Sequence, residues 1–206
     1  MSGYKTKQEE FWAGEFGDDY TERNKGSQLI ASNLAFFARV FSKTQPIKSL
    51  MEFGANRGLN IIAIKLLLPD IEISALEINQ QAAAKLMQIE GLKIYQDSIL
   101  KYVSDYPRDF VLSKGLLIHI NPDMLKVAYK VLYESSRRYI CIAEYYNPTP
   151  VEIVYRGNRG KLFKRDFAGE MLDKYKDLHL VDYGFVYRRD NNFPQDDCTW
   201  FLMEKR

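Results

Sequence analysis

Residues 49–68 read SLMEFGANRGLNIIAIKLLL, a β-prone run, a glycine-bracketed turn and a helical run in direct succession. A tight turn at the carboxyl end of a first strand needs small residues so that backbone can approach a ligand, and the helix after it offers unpaired N–H groups. Gly54, Ala55, Asn56, Arg57 and Gly58 fill that turn. Its spacing is ExGxxxG, with Glu52 where a dinucleotide fold keeps its first glycine. A carboxylate there repels a pyrophosphate and accepts hydrogen bonds from a cationic amino-acid moiety, which turns the expected ligand away from NAD.

Outward from this segment, short β-prone runs alternate with helical runs, the pattern of β-α-β units. Strands are expected near 48–53, 72–76, 92–95, 109–113 and 138–143, and helices near 59–68, 80–88 and 122–136, with a short helix or turn from Ile99 to Tyr106. A further helix near 165–176 precedes two β-rich segments, 179–187 and 198–203. The turn-forming RRDNNFPQDD joins them, which predicts a terminal hairpin rather than another crossover. Upstream, TERNKGS reads as a turn before a helix whose Ile30, Leu34, Phe37 and Phe41 form one apolar stripe ending before Pro46. No linker or internal repeat divides the chain. The expectation is one α/β unit, with residues 1–45 as an N-terminal lid and helix packed on the domain formed by 46–206.

The tips of successive strands carry acids. Glu77, followed by Ile78, ends the second run and is placed to accept the hydroxyls of a ribose; Asp97 follows the third, placed for an adenine amino group with Ser98 and Ile99 along the ring. Each alone reads equally as a solvated carboxylate, but three acids at three successive strand ends form an ordered set. The aromatic N-terminal stretch, with Phe11, Trp12, Phe16 and Tyr20 and turns at Gly14 and Gly17, reads as a partial lid or as cover for a sheet edge. In the lid reading Trp12 meets the acceptor, and Tyr20 and Arg23 meet a cofactor's amino-acid tail or the acceptor.

At the other strand ends, LSKGLLIHINPD places His119 near the mouth of the site, as a base with a reference pKa of about 6.5 or as a loop-fixing hydrogen-bond partner. Asn121 reads as an N-cap before Pro122 and Asp123. After the fifth strand, Glu144, Tyr145, Tyr146 and Asn147 precede two prolines; Glu144 can orient an amine or hydroxyl, and tyrosines can line a substrate chamber. Tyr155, Arg156 and Arg159, with Lys161, Lys164 and Arg165, form a basic stretch suited to an acceptor's carboxylate or phosphate, or a solvated loop.

These residues resemble the class I S-adenosylmethionine-dependent methyltransferases. The Glu52–Gly54–Gly58 turn is similar to that family's first cofactor motif, Glu77 to its ribose-binding acid and Asp97 to its adenine-binding acid. The resemblance implies a Rossmann-like α/β fold, a seven-stranded, mostly parallel sheet ordered 3-2-1-4-5-7-6 with helices on both faces, and methyl transfer from S-adenosylmethionine, leaving S-adenosylhomocysteine. Within the superfamily, FWAGEFGDDYTERN, FGANRGLN, EIN and LSKGLLIHINPD resemble methylases associated with pseudaminic acid biosynthesis. This, with the basic 156–165 stretch, suits a small, anionic acceptor methylated on O or N; positions beyond the strand ends make His119, Tyr146 and Glu144 the expected catalytic set, and Trp12, Tyr145, Tyr155, Arg156 and Arg165 the expected acceptor contacts. The other readings are methylation of tRNA or another macromolecule and a noncatalytic nucleotide-binding domain.

Composition agrees with a folded enzyme rather than a polyanion binder. Of 206 residues, 46% are apolar, and 29 basic against 27 acidic side chains give a net charge of +2, so no global positive field exists to hold nucleic acid. Cys141 and Cys198 are too few for a disulfide scaffold, and the implied strand order sets them on neighbouring strands as buried thiols. No HExxH or Cys/His cluster has metal spacing, and no metal is expected. The opening MSGYKTKQEEFWAGEFGDDY lacks a secretory pattern and no 18-residue apolar run exists, so the expectation is a cytoplasmic protein with no membrane partner.

Overall fold

The computed structural model describes residues 3–24 and 26–206. Five parallel strands come first: β1 (Ser49–Phe53), β2 (Glu72–Leu76), β3 (Leu92–Tyr95), β4 (Arg108–Lys114) and β5 (Ser136–Glu144). Between β5 and the closing strands lies a separate antiparallel ribbon, β6 (Val151–Tyr155) with β7 (Asn158–Lys164). The chain then closes with β8 (Leu178–Val186) and β9 (Cys198–Lys205), an antiparallel pair whose β9 also runs antiparallel to β5. The sheet order is β3-β2-β1-β4-β5-β9-β8, which is the expected 3-2-1-4-5-7-6.

Every residue of β1 is buried because helices cover both faces of the sheet. Met51 and Phe53 pack on one side with Leu125, Leu132, Phe167 and Met171 from α6 (Leu125–Glu134) and α7 (Phe167–Lys174). Leu50 packs on the other with Phe37, Ile61, Ile64 and Leu86 from α3 (Ser27–Phe41), α4 (Leu59–Leu67) and α5 (Gln80–Leu86). The stripe Ile30, Leu34, Phe37 and Phe41 joins this second cluster, as its spacing predicts. No helix among the described residues is long and apolar enough to cross a membrane.

Two local expectations are corrected. The residues Thr21–Arg23 belong to a helix, α2 (Glu15–Arg23), which Asn24 ends by donating its N–H to Tyr20 O; Lys25 of the same heptapeptide lies outside the described residues. Before it runs α1 (Lys7–Ala13), started by a reciprocal Thr6–Glu9 capping box and separated by extended Gly14. The joint is tight: a Cβ on Gly17 would stand 1.9 Å from Trp12 O, so only glycine fits there. The basic stretch 156–165 is not a loop but the turn and second strand of the β6–β7 ribbon. Arg156 and Gly157 both have positive φ, 48° and 82°, which is what a two-residue hairpin turn of matching twist requires. The β-branched run VEIVY before it carried the signal.

Candidate cofactor and acceptor site

Beyond Phe53 the chain turns across the end of β2: Gly54 and Ala55 both donate their N–H groups to Leu76 O, at 2.8 and 3.2 Å. Asn56 adopts a left-handed φ of 48° and donates its N–H to Glu77 Oε2 at 2.7 Å, while Asn79 N–H donates to Glu77 Oε1 at 2.8 Å. Glu77 therefore clamps the turn to the start of α5. Burial pushes its pKa up against the opposing pull of these backbone donors. Gly58, at φ +83°, starts α4 where a Cβ would fall 2.5 Å from Ile89 Cδ1.

Two chambers open at these strand ends and meet at Tyr20, Gly54, Asn56, Gly115 and His119. The first encloses about 760 Å³ of space, part of it open to solvent; its walls include Glu77, Ile78, Asp97, Ser98 and Ile99, with Trp12 and Tyr20 from the N-terminal helices. The second, about 1510 Å³ and more open, is bounded by Ala55, Asn60, Lys114, Glu144, Tyr145, Tyr155, Arg188 and Asp196. Helices α1 and α2 are tied over the first chamber by side-chain bonds. Asn79 Nδ2 donates to Asp18 Oδ1 at 2.8 Å, Thr21 Oγ1 to Asn56 Oδ1 at 2.8 Å, and Gln8 Nε2 to Gly160 O on the ribbon at 2.8 Å.

His119 stands at the junction, its ring 4.3 Å from that of Trp12 and 5.3 Å from that of Tyr155. Burial lowers its pKa from 6.5 to about 4, so the imidazole is neutral at physiological pH. Its Nδ1 lies 2.7 Å from Lys161 O, which can only accept, so Nδ1 carries the proton and Nε2 keeps a lone pair. His119 thus fastens the ribbon to the cleft.

Several residues expected at the site are used otherwise. Glu144 bounds the second chamber, but its carboxylate accepts from Ser113 Oγ at 2.9 Å, from the N–H groups of Leu116 and Leu117 at 3.0 Å each, and from Ile118 N–H at 3.4 Å. It holds the loop that carries His119, and burial raises its pKa to about 7. Tyr146 is 41% exposed outside both chambers, 5.9 Å from the Phe201 ring, and Tyr145 bounds the second chamber in its place. Arg165 pairs with Glu170 at 2.5 Å, Arg156 is exposed at the ribbon turn, and Arg23 is exposed beside Asp19 at 3.9 Å. None of the three bounds a chamber.

Glu52 and Gly58 also lie behind the walls. Glu52 is fully buried, accepts from Asn60 Nδ2 at 2.6 Å through Oε1, and has no partner for Oε2; burial raises its pKa to about 8. Asn60, not Glu52, reaches the second chamber. Cys141 and Cys198 are free, buried thiols. Lys114, Asn60, Arg188 and Asp196 were missed in the sequence. Lys114 was within reach of the strand-end rule, since it closes β4, whereas the 188–197 connection returns from the far edge of the sheet and no local pattern announces it.

No family model matches the chain, and no curated protein sequence matches it. Solved structures do. It is similar to 1,6-didemethyltoxoflavin-N1-methyltransferase of Burkholderia thailandensis, at 14% identity over 96% of this chain and 86% of that one, with a TM-score of 0.68. It is also similar to magnesium protoporphyrin IX methyltransferase of Synechocystis PCC 6803, at 10% identity over the whole of both chains (TM-score 0.67), and to the N-methyltransferase NodS of Bradyrhizobium japonicum WM9, at 10% identity over 93% and 99% (TM-score 0.66). The strand order and these likenesses together give the chain the Rossmann-like fold of class I S-adenosylmethionine-dependent methyltransferases.

Proposed function

We propose that the chain is an S-adenosylmethionine-dependent methyltransferase whose acceptor is a small anionic metabolite, a nonulosonic (pseudaminic) acid-related sugar or an intermediate of one. The observation that carries this reading is the pair of carboxylates on the wall of the first chamber, Glu77 and Asp97, set at successive strand ends beside the Gly54–Asn56 backbone. Ligands of open α/β sheets bind at this edge.

The donor set fits an adenosyl group. Each Glu77 oxygen accepts one backbone N–H and retains a lone pair for a ribose hydroxyl. Asp97, Ile78, Ile99, Trp12 and Tyr20 bound the same chamber; Asp97 would take the adenine amino group and the apolar and aromatic side chains would pack against its ring. Asn60 bounds the second chamber with its Nδ2 donated to the buried Glu52, and its Oδ1 could accept from a ligand's ammonium. Bound S-adenosylmethionine would supply an electrophilic methyl group on sulfonium sulfur. The chain's own contribution is to align the acceptor with that methyl and to exclude water beneath α1 and α2, since orientation alone lowers such barriers by several kcal/mol, up to about 7–11.

The second chamber suits the acceptor. Lys114 on its wall has no carboxylate within salt-bridge distance among the described residues and suits an anion, whereas Arg188 pairs with Asp197 at 3.3 Å and Arg57 donates to Thr21 O. A small acceptor accords with the Burkholderia thailandensis structure, which holds 1,6-didemethyltoxoflavin together with S-adenosylhomocysteine. A net charge of +2 gives no support to a polynucleotide acceptor.

Calorimetry with S-adenosylmethionine, S-adenosylhomocysteine and NAD tests the cofactor. Both adenosyl ligands should bind, and Glu77→Ala should weaken them by about 1–3 kcal/mol, since a buried polar partner is left unmatched. Binding of NAD without either adenosyl ligand overturns the proposal. Mass spectrometry of metabolite extracts incubated with the protein and isotopically labelled methyl donor then identifies the acceptor.

A further inference from the structure

We infer that the acceptor's nucleophile is an amine, received by Asp196 and the hydroxyls of Tyr20, Tyr145 and Tyr155 where the second chamber meets His119. The inference rests on the methyltransferase reading and deepens it by naming the reacting group.

The four side chains come from separate elements: Tyr20 from α2, Tyr145 from the end of β5, Tyr155 from the end of β6 and Asp196 from the connection between β8 and β9. All bound the second chamber. The Tyr155 ring lies 5.3 Å from that of His119 and the Tyr20 ring 5.2 Å from that of Trp12; burial first, and then Tyr155 and Asp196, raise the pKa of both Tyr20 and Tyr145. Hydroxyls, an aromatic wall and one anion form a recess that favours an N–H donor or a positive charge.

The remaining groups disfavour an alcohol. A hydroxyl nucleophile needs a base to take its proton as it attacks, whereas a neutral amine attacks through a free lone pair. Glu144 is consumed by four hydrogen bonds, and the buried His119 is too weakly basic for that task. With Nδ1–H fixed on Lys161 O, Nε2 remains a fixed acceptor that can hold an amine N–H and so aim the nitrogen lone pair. Lys114, elsewhere on the same wall, suits an acid group, so the fitting acceptor carries both an amine and a carboxylate. An amine held beside Asp196 enters as its ammonium and first gives one proton to solvent by way of Asp196; the freed lone pair then forms the N–CH3 bond while the CH3–S bond breaks and its electron pair stays on sulfur. The methylated product leaves as its ammonium.

The test compares three sugar acids: the 2-O-methyl glycoside of neuraminic acid, which has a free amine; N-acetylneuraminic acid, in which the amine is capped; and 3-deoxy-octulosonic acid, which has none. The full chain is incubated with each and with methyl-labelled S-adenosylmethionine, and each is titrated by calorimetry into protein saturated with S-adenosylhomocysteine. Label should enter only the free amine, survive mild alkali and localise to nitrogen on fragmentation. The free amine should also bind at least tenfold more tightly than the other two. Asp196→Asn and Tyr145→Phe should each remove that preference while S-adenosylhomocysteine affinity is unchanged. Label on a hydroxyl, label lost in alkali as from an ester, or equal or absent binding of all three acids overturns the amine assignment and leaves the methyltransferase reading standing. Failure of S-adenosylhomocysteine itself to bind removes both.

Discussion

Replacing Glu52 with glutamine should stabilise the protein at neutral pH and remove a step from its stability–pH curve. The carboxyl is fully buried on the central strand with Asn60 as its one donor, and burial raises its pKa from 4.5 to about 8. The folded protein therefore keeps a proton that the unfolded chain has released, so stability is full below about 4.5 and falls as pH rises until it levels near 8. Each pH unit of that interval is worth about 1.4 kcal/mol, so the cost of burying Glu52 is about 3 kcal/mol at pH 7 and at most about 5 above pH 8. Glutamine keeps an oxygen for Asn60 Nδ2 and has no proton to lose. Urea unfolding of both proteins from pH 5 to 9 checks this: the stabilities should agree at pH 5 within about 1 kcal/mol and separate progressively toward pH 8, the variant being the more stable. Other buried carboxyls such as Glu144 titrate in both proteins and cancel in the difference. A difference that stays flat across this range would refute the reasoning.

Gly58→Ala should cost about 2–4 kcal/mol, combining a left-handed φ with a Cβ forced against Ile89 and Leu86; a urea-derived loss below about 1 kcal/mol would show that the helix start relaxes freely. The His119 imidazole should titrate near 4 by NMR, with the stability it contributes present above pH 6.5 and lost as pH falls toward 4; a midpoint between 6 and 7 would mean the ring is solvated. Cys141 and Cys198 should stay unreactive toward a thiol reagent in the folded protein and react fully in urea, because burial pushes both thiols up, Cys141 to about 12; rapid native labelling would contradict that burial.

The strand-turn-helix around Gly54 was legible because its determinants are local: an apolar run, a turn needing glycine at Gly58, and a helix within one stretch of chain. Glu77 and Asp97 were legible for the same reason, since a strand's end fixes where its next residue goes. The β6–β7 ribbon was misjudged because basic residues and prolines outweighed a short β-branched run, although Arg156–Gly157 is a hairpin turn in its own right.

What sequence alone determined about this protein is therefore the succession of the sheet strands and the helices between them, a consequence of hydrophobic period and turn chemistry acting over a few residues, while the order of the strands in the sheet was implied by the family resemblance. Tertiary structure decided which polar groups remain free at the strand ends. Glu144 is spent on N–H groups 26 to 28 residues away, Arg165 on Glu170, and the His119 tautomer on a carbonyl 42 residues downstream. Tyr145 rather than Tyr146 reaches the cleft, where Lys114 from β4 meets Arg188 and Asp196 from the connection between β8 and β9. A buried polar group takes whichever partner the packed fold brings within about 3 Å, and that choice belongs to the three-dimensional arrangement rather than to any local pattern.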